Sequence, residues 1–180
     1  EVRLCMALLM ALQMSLHAAP FAYITNSDDS TVSVLDTATN TVTATVPVGT
    51  NPGAVAVSPD GNRVYVANGA LGCVSVIDAA TNTVAATVPV GSGPFGLAVT
   101  PDGSRVYVSN YNDYTVSVID TATNTVATTI PVGQWPYGVT VAPWYGQQFK
   151  GRQVEHLVTA SQRGLGRLDV EQLTVLKASA

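Results

Sequence analysis

The sequence predicts an all-β fold, and three observations support this prediction. Val and Thr, which are β-branched and enriched in strands, occur 28 and 21 times among 180 residues. Hydrophobic residues make up 47% of the chain and charged residues 11%, which is typical of a packed domain rather than a disordered chain. Residues 21–142 repeat themselves with a fixed period. A chain of this length is expected to hold one compact domain.

Four landmarks define the period of the repeat. Tyr23, Tyr65 and Tyr107 are each 42 residues apart. An Asn, an Asp and a Pro of each copy keep the same spacing: Asn26, Asn68 and Asn110; Asp36, Asp78 and Asp120; Pro52, Pro94 and Pro136. Since no insertion separates the copies, the chain repeats one supersecondary unit.

Each copy contains four short runs of strand-forming residues, separated by turn residues. In the second copy the runs are 53–57, 63–68, 73–78 and 83–88. The sequences SPDG and DAATN between them are hairpin signals. Four antiparallel strands in about 40 residues match the size of one propeller blade. The sequence therefore predicts a β-propeller of four-stranded antiparallel blades, with a flat sheet or a β-solenoid as the alternative.

The side chains of the four runs indicate their order within a blade. The runs GAVAV (53–57), GLAVT (96–100) and GVTVA (138–142) contain no large residue, as expected for inner strands that converge at the centre of the ring. The third run alternates polar and apolar residues, and the fourth is richest in Thr. We therefore expect the first run at the centre and the fourth at the rim.

The repeat motifs resemble those of a known family. YITN (23–26), VYVAN (64–68) and VYVSN (106–110), each followed by VSVxD-type, TATNTV-type and VPVG-type segments, resemble the YVTN-family β-propeller repeat. The resemblance covers roughly residues 21–142. It implies a bacterial or archaeal cell-surface or periplasmic protein, and typically seven blades.

The copies do not coincide with whole blades. The first copy begins at a second strand, and the last stops after the inner run 138–142, which gives twelve strands, or about three blades' worth. Three blades should not close a ring, because typical propellers have 4 to 8. We therefore expect a partial or open propeller: a piece of a longer one, a ring of copies that associate through their end blades, or an arc capped by its tail.

The two flanking segments differ from the repeat. Residues 1–20 combine Arg3, an apolar run over 4–16 and the pair Ala18-Ala19, which predicts a signal peptide. A retained N-terminal helix is the alternative. Cleavage would leave an exported protein in the periplasm, at the cell surface or outside the cell, without membrane contact. Residues 143–180 form a non-repeat tail, predicted to be either a short amphipathic helix or a disordered end.

No catalytic, cofactor or metal motif is evident in the sequence, so we expect none of these sites. The two histidines, His17 and His156, lie outside the repeat. The aspartates that recur in every copy at a turn are interpreted as structural caps. Cys73 stands where the other copies have Thr, and is interpreted as a small core residue.

A candidate binding face lies where the loops of the copies differ. The loops SDDS (27–30), GALG (69–72) and YNDY (111–114) follow the second strands, and are predicted to share one end of the blades with the entries to the inner strands. The candidate residues are Asp28, Asp29, Phe95, Tyr111, Asp113, Tyr114, Trp135 and Tyr137. They would form an aromatic ledge with acidic points. Ordinary blade packing and solvated loops are the alternative.

These features favour an exported or cell-surface binding or scaffold protein that contacts a protein or a saccharide through its loop face. The alternative is a part of a propeller enzyme, lactonase-like or dehydrogenase-subunit-like, whose catalytic residues lie outside this chain. A formal charge of −4 argues against duplex nucleic acid as a partner. Two Arg against eight Asp over residues 21–142 also disfavour binding of single-stranded nucleic acid.

Overall fold

The computed structural model describes residues 20–142, which form eleven β-strands and no helix. That range thus includes no helix long and apolar enough to cross a membrane. Within the described range, residues 20–141 belong to one compact unit. The predictions of a signal peptide and of a tail with a short helix or disorder fall outside the described residues.

The strands are β1 (Phe21–Asn26), β2 (Thr31–Asp36), β3 (Thr41–Pro47), β4 (Pro52–Val57), β5 (Arg63–Asn68), β6 (Cys73–Asp78), β7 (Thr83–Pro89), β8 (Pro94–Val99), β9 (Arg105–Asn110), β10 (Thr115–Asp120) and β11 (Thr125–Pro131).

The strands form three antiparallel sheets, each an up-and-down meander. Blade 1 has the order β1-β2-β3, blade 2 the order β4-β5-β6-β7, and blade 3 the order β8-β9-β10-β11. Contacts between blades 2 and 3 are concentrated on β4 and β8, which places these strands innermost. The predicted all-β fold of antiparallel blades, with three strands in the first copy, is confirmed.

The predicted twelfth strand at 138–142 does not form. Residues of this segment do lie beside blade 3, where the Ser109 hydroxyl donates to the Tyr137 carbonyl at 2.9 Å. A strand also needs a hydrogen-bonded neighbour within its own sheet. Among residues 20–142 no outer strand pairs with this segment, so the expectation of twelve strands was wrong by one.

Two hydrophobic clusters hold the three blades together, and blade 2 contributes one face to each. Val64, Val66 and Ile77 of blade 2 pack with the valines of blade 1. Tyr65 and the opposite face of blade 2 pack with Leu97, Val106, Val108 and Ile119 of blade 3. The alternation of neighbouring residues between the two clusters follows from the two-residue period of a strand.

The repeated asparagine joins neighbouring strands and neighbouring blades. Asn68 is fully buried, and its Nδ2 donates to Ser75 Oγ at 2.9 Å and to Cys73 Sγ at 3.4 Å. The side chain also lies directly against Gly49, in the connection that leaves blade 1. Asn110 makes the equivalent contacts in blade 3. The Asn of each interior repeat therefore needs a glycine on the preceding blade.

The aspartates of the turns act as backbone caps, as predicted. The Asp78 carboxylate accepts from the amides of Ala80 and Thr81, each at 2.9 Å. Asp36 and Asp120 accept the equivalent amide bonds. Asp102 accepts from the hydroxyl of Thr100 at 2.6 Å and from the amide and hydroxyl of Ser104, and these bonds lower the pKa of Asp102 to about 2. The repeated carboxylates are thus occupied by their own turns.

Candidate functional site

The two sets of variable loops lie at the same end of the blades, here called the loop end. In blade 2, the Gly69 amide donates to the Asn51 carbonyl at 2.9 Å. In blade 3, the Tyr111 amide donates to the Gly93 carbonyl at the same distance. The predicted proximity of these loops is confirmed, because each loop after a second strand is hydrogen-bonded to the connection that enters its blade.

Three of the predicted aromatic residues meet at the inner side of blade 3. The rings of Phe95 and Tyr137 lie 3.9 Å apart between centroids, tilted by 33°. Tyr111 meets Tyr137 edge to face at 6.2 Å. Phe95 is 40% exposed and Tyr137 59%, so the contact leaves ring surface open to solvent. Gly96 allows this arrangement, because a Cβ there would clash with the Tyr137 carbonyl oxygen.

Two further aromatic residues, Tyr114 and Trp135, form a second contact. Their rings lie 6.0 Å apart with an interplanar angle of 90°. Both residues have a left-handed backbone, with φ of 57° and 52°, which is unusual and strained for a bulky side chain. The same repeat positions carry Gly72 and Gly93 one copy earlier, where the conformation costs little. Sequence reasoning missed this strain, although the exchange of glycine for an aromatic residue between copies was its signal.

The acidic candidates are not all placed together. Asp113 lies in the same loop as Tyr111 and Tyr114, and accepts from the Ser92 amide at 2.6 Å. It also lines a groove of about 600 Å³ between blades 2 and 3. Asp28 and Asp29 lie exposed in the β1–β2 loop of blade 1, and no hydrogen bond within the described range joins them to the aromatic residues. Binding by any of these residues stays a prediction.

Six of the eight candidate residues therefore belong to blade 3 or the segment that follows it. We call this group the blade 3 loop cluster. Its members are Phe95, Tyr111, Asp113, Tyr114, Trp135 and Tyr137.

A second concavity, of about 310 Å³, lies at the opposite end of blades 2 and 3 and was not predicted from the sequence. Asp60, Arg63 and Asp102 are among its lining residues. Arg63 donates from Nη1 to the Thr121 carbonyl at 3.1 Å, which links blade 2 to blade 3. The Ser58 hydroxyl and the Asn62 amide donate to Asp60 and lower its pKa. The charged groups of this cleft therefore already form hydrogen bonds, either within turns or between blades.

Residues 20–142 contain no cluster of three or more His, Cys, Asp or Glu side chains placed to hold a metal ion. Cys73, the cysteine of this range, is a buried free thiol that accepts a hydrogen bond from Asn68. Its interpretation as a core residue agrees with this position.

Comparisons with known proteins place the fold among propellers. The sequence profile of the YNCE-like beta-propeller family matches residues 4–103, more than half of the chain. Hydrazine synthase of Kuenenia stuttgartiensis superposes with a TM-score of 0.66 at 31% identity, over 68% of this chain and 36% of that one. The dihydro-heme d1 dehydrogenase NirN, solved in complex with DHE, superposes with a TM-score of 0.62 at 28% identity, over 73% and 30%.

A third solved structure, apo AztD from Citrobacter koseri, superposes with a TM-score of 0.58 at 17% identity, over 68% of this chain and 34% of that one, and supports the fold alone. The chain thus spans about a third of the length of these solved chains. No curated protein sequence matches it.

Proposed function

Because the chain belongs to the YNCE-like beta-propeller family, we propose that it is an exported binding or scaffold protein that holds a protein or saccharide partner on the blade 3 loop cluster. The motifs YITN, VYVAN and VYVSN support the finer assignment of its repeats to the YVTN type. A profile built from YVTN repeats alone tests that assignment. It should match all three copies in register, and a match to fewer would contradict it.

The observation that carries the binding role is the strained, exposed aromatic pair Tyr114 and Trp135. A bulky residue at positive φ costs about 1–3 kcal/mol of folding free energy, which persists only where surrounding structure or function compensates. Trp135 is 57% exposed, so burial of its ring in the fold does not explain the cost. Rigid aromatic side chains with a polar tip are enriched at recognition surfaces, where they supply contact area at low entropic cost.

The neighbouring groups give this surface a mixed character. Phe95 and Tyr137 offer flat apolar faces, and the Asp113 carboxylate offers hydrogen-bond acceptors beside them. A saccharide combines apolar ring faces with hydroxyl donors, and a protein surface that packs against aromatic side chains combines apolar groups with amide donors. The few polar groups beside a larger apolar area would fix the orientation of the partner.

Replacing Trp135 or Tyr114 by Gly tests this role, because Gly removes both the ring and the backbone strain. We expect the unfolding free energy to stay within about 1 kcal/mol of the original. Binding to glycans on an array, or to a protein partner identified by cross-linking, should fall about tenfold or more. Leu71→Ala is the matched control, because Leu71 is an exposed residue of the loop end on blade 2. Equal loss in the control, or unchanged binding in both Gly variants, would contradict the proposal.

Export is part of the same proposal, and it rests on the pattern of residues 1–20. We expect expression of the full chain in a bacterial host to give a mature protein that starts close to Ala19 or Pro20. N-terminal sequencing of the periplasmic and cytoplasmic fractions measures this directly. A cytoplasmic protein that still begins at Glu1 would rule export out.

A second candidate function is a part of a propeller enzyme. Two of the similar solved structures, hydrazine synthase and NirN, bear the names of enzymes, and the chain spans about a third of each. The coding sequence on both sides of this chain distinguishes the two functions. Additional blades with His and carboxylate residues on the channel axis would favour the enzyme, and additional plain repeats would favour the binding role.

A further inference from the structure

The groove between blades 2 and 3 has both of its walls within the described residues. The end of β7 and the connection that follows it form one wall, with Pro89, Val90 and Gly91. The faces of β10 and β11 form the other wall. Its volume of about 600 Å³ is typical of small-molecule sites, which span about 300–1,000 Å³.

The wall on blade 3 is a sheet face that carries hydroxyl groups beside an apolar side chain. Ser117 of β10 pairs with Thr129 of β11, and Ile119 pairs with Val126. Ile119 packs in the cluster that joins blades 2 and 3. Since residues two apart in a strand share a face, Thr115 and Ser117 face blade 2 together with Ile119. Thr115, Ser117, Val126 and Thr129 accordingly line the groove.

Two hydroxyl groups of this wall have a hydrogen to donate. Thr115 Oγ1 and Ser117 Oγ each accept from Asn110 Nδ2 at 2.9 Å. In the part of the chain that the structure describes, neither hydroxyl donates to a protein group. Ser117 is only 1% exposed, and a buried donor without an acceptor is unfavourable. This wall therefore suits a ligand that brings an acceptor into the groove.

The Asp113 carboxylate adds acceptors at the loop end of the groove. Its Oδ2 accepts from the Ser92 amide at 2.6 Å, and its Oδ1 accepts no hydrogen bond from residues 20–142. The lining residues include no Lys or Arg that could balance an anionic ligand. The groove thus suits an uncharged ligand that both donates and accepts hydrogen bonds.

The junction between blades 1 and 2 shows that these polar groups are not needed to pack two blades. One period earlier, six of the eight lining positions carry the same residue. The other two carry Leu71 in place of Asp113 and Cys73 in place of Thr115. Asn68 still lies against Gly49 of the preceding blade there. The carboxylate and the added hydroxyl therefore distinguish one groove from another while the blade contact stays the same.

We propose that the groove between blades 2 and 3 binds a neutral saccharide. A sugar hydroxyl both donates and accepts, so it can pair with the Asp113 carboxylate and with the Thr115 and Ser117 hydroxyls. The C–H face of the sugar ring packs against Val90 and Val126. An ammonium group could donate to Asp113, but it could not accept from the two hydroxyls.

This inference rests on the proposed function, and it selects the saccharide as the partner of that surface. Asp113 belongs both to the groove and to the blade 3 loop cluster, so one oligosaccharide can extend from the groove to the aromatic rings. An extended peptide commonly binds a free sheet edge through its backbone. The hydroxyls of this groove lie on a sheet face instead, which favours the saccharide.

An array of neutral glycans, sialylated glycans and peptides tests the class of ligand with the full chain. We expect binding to neutral glycans, and binding to their sialylated counterparts that is about tenfold weaker or less. Binding to peptides alone, to sialylated glycans in preference, or to no member of the array would overturn the inference.

A bulky side chain in the groove tests the place of binding. Thr129 is exposed and lines the groove, and Thr87 is exposed at the same position of the preceding copy. We expect Thr129→Trp to raise the dissociation constant of the strongest neutral glycan about tenfold or more, and Thr87→Trp to change it less than about twofold. Circular dichroism checks that both variants are folded. Equal effects of the two variants would contradict binding in this groove.

Asp113→Asn tests the carboxylate, because it removes the charge and keeps an oxygen that can accept from the Ser92 amide. We expect weaker binding of the neutral glycan and a smaller difference between neutral and sialylated glycans. A loss of fold stability alone would not change that ratio. An unchanged ratio would rule out contact between Asp113 and the ligand.

Trp135→Gly separates this inference from the proposed function. If Trp135→Gly weakens glycan binding and Thr129→Trp does not, the blade 3 loop cluster binds the glycan and the inference about the groove is wrong. If only Thr129→Trp weakens it, the groove binds the glycan and the proposed role of the aromatic pair is wrong. We expect both variants to weaken binding.

Discussion

Replacing Tyr65 by Ala is expected to reduce the unfolding free energy by about 3–5 kcal/mol. Tyr65 is 1% exposed and is the largest fully buried side chain of the described range. It lies in the cluster that joins blade 2 to blade 3, so its removal leaves a cavity between two sheets. Chemical denaturation followed by circular dichroism measures the loss. Since a domain is stable by about 5–15 kcal/mol, the variant is expected to unfold at a much lower denaturant concentration.

Tyr107→Ala is the matched control for this prediction. Tyr107 has the same position in the next copy, but lies on the face of blade 3 that has no neighbouring blade within the described range, and is only partly buried. We expect Tyr107→Ala to reduce the unfolding free energy by less than half as much as Tyr65→Ala. If the two variants lost the same unfolding free energy, burial of the side chain between blades would not be the cause of the loss.

Gly91→Ala is expected to destabilise the chain by roughly 1–3 kcal/mol and to disturb the blade 3 loop cluster. A Cβ at this position would lie 2.6 Å from Asn110 Cγ and 2.7 Å from an oxygen of Asp113. Asn110 is fully buried and held by two hydrogen bonds, so it cannot move aside without breaking them. Thermal unfolding measures the stability, and the binding assay used for Trp135→Gly measures the effect on the site.

Gly133→Ala provides the control for Gly91→Ala, because it is the same repeat position with no heavy atom within 4 Å of the added Cβ. Its effect on the unfolding free energy should stay within about 0.5 kcal/mol. A loss as large as that of Gly91→Ala would show that the backbone, rather than the asparagine of the following blade, excludes a side chain here.

Much of the fold could be predicted because the repeat is local. Each hairpin is encoded within about ten residues by alternating strand residues and by a turn with its own cap, as in the Asp78 turn with its amide bonds from Ala80 and Thr81. Copies that keep one period must adopt one structure, so the blade pattern follows from the sequence. The prediction of a strand at 138–142 was wrong because it relied on local sequence alone. The segment has the residue pattern of a strand, but a strand also requires a hydrogen-bonded neighbour, which the local sequence does not provide.

The candidate site was predicted only in part, because its geometry depends on contacts between distant segments. The sequence identified the loop end and the aromatic residues, but not that Asp28 and Asp29 lie apart on blade 1 while Asp113 lies with the rings on blade 3. The left-handed backbone at Tyr114 and Trp135 was missed, although Gly72 and Gly93 at the same positions of the preceding copy indicated it.

The sequence by itself determined the all-β class, the 42-residue blade unit, the turn caps and the end of the blades at which the variable loops gather. All of these depend on residues close together in the chain, where strand period and turn geometry act directly. Tertiary structure decided which equivalent residues are buried, as with Tyr65 and Tyr107, and which glycines face an asparagine, as with Gly91 and Gly133. Identical motifs differ in these respects because burial depends on the neighbouring blade, and each copy has different neighbours.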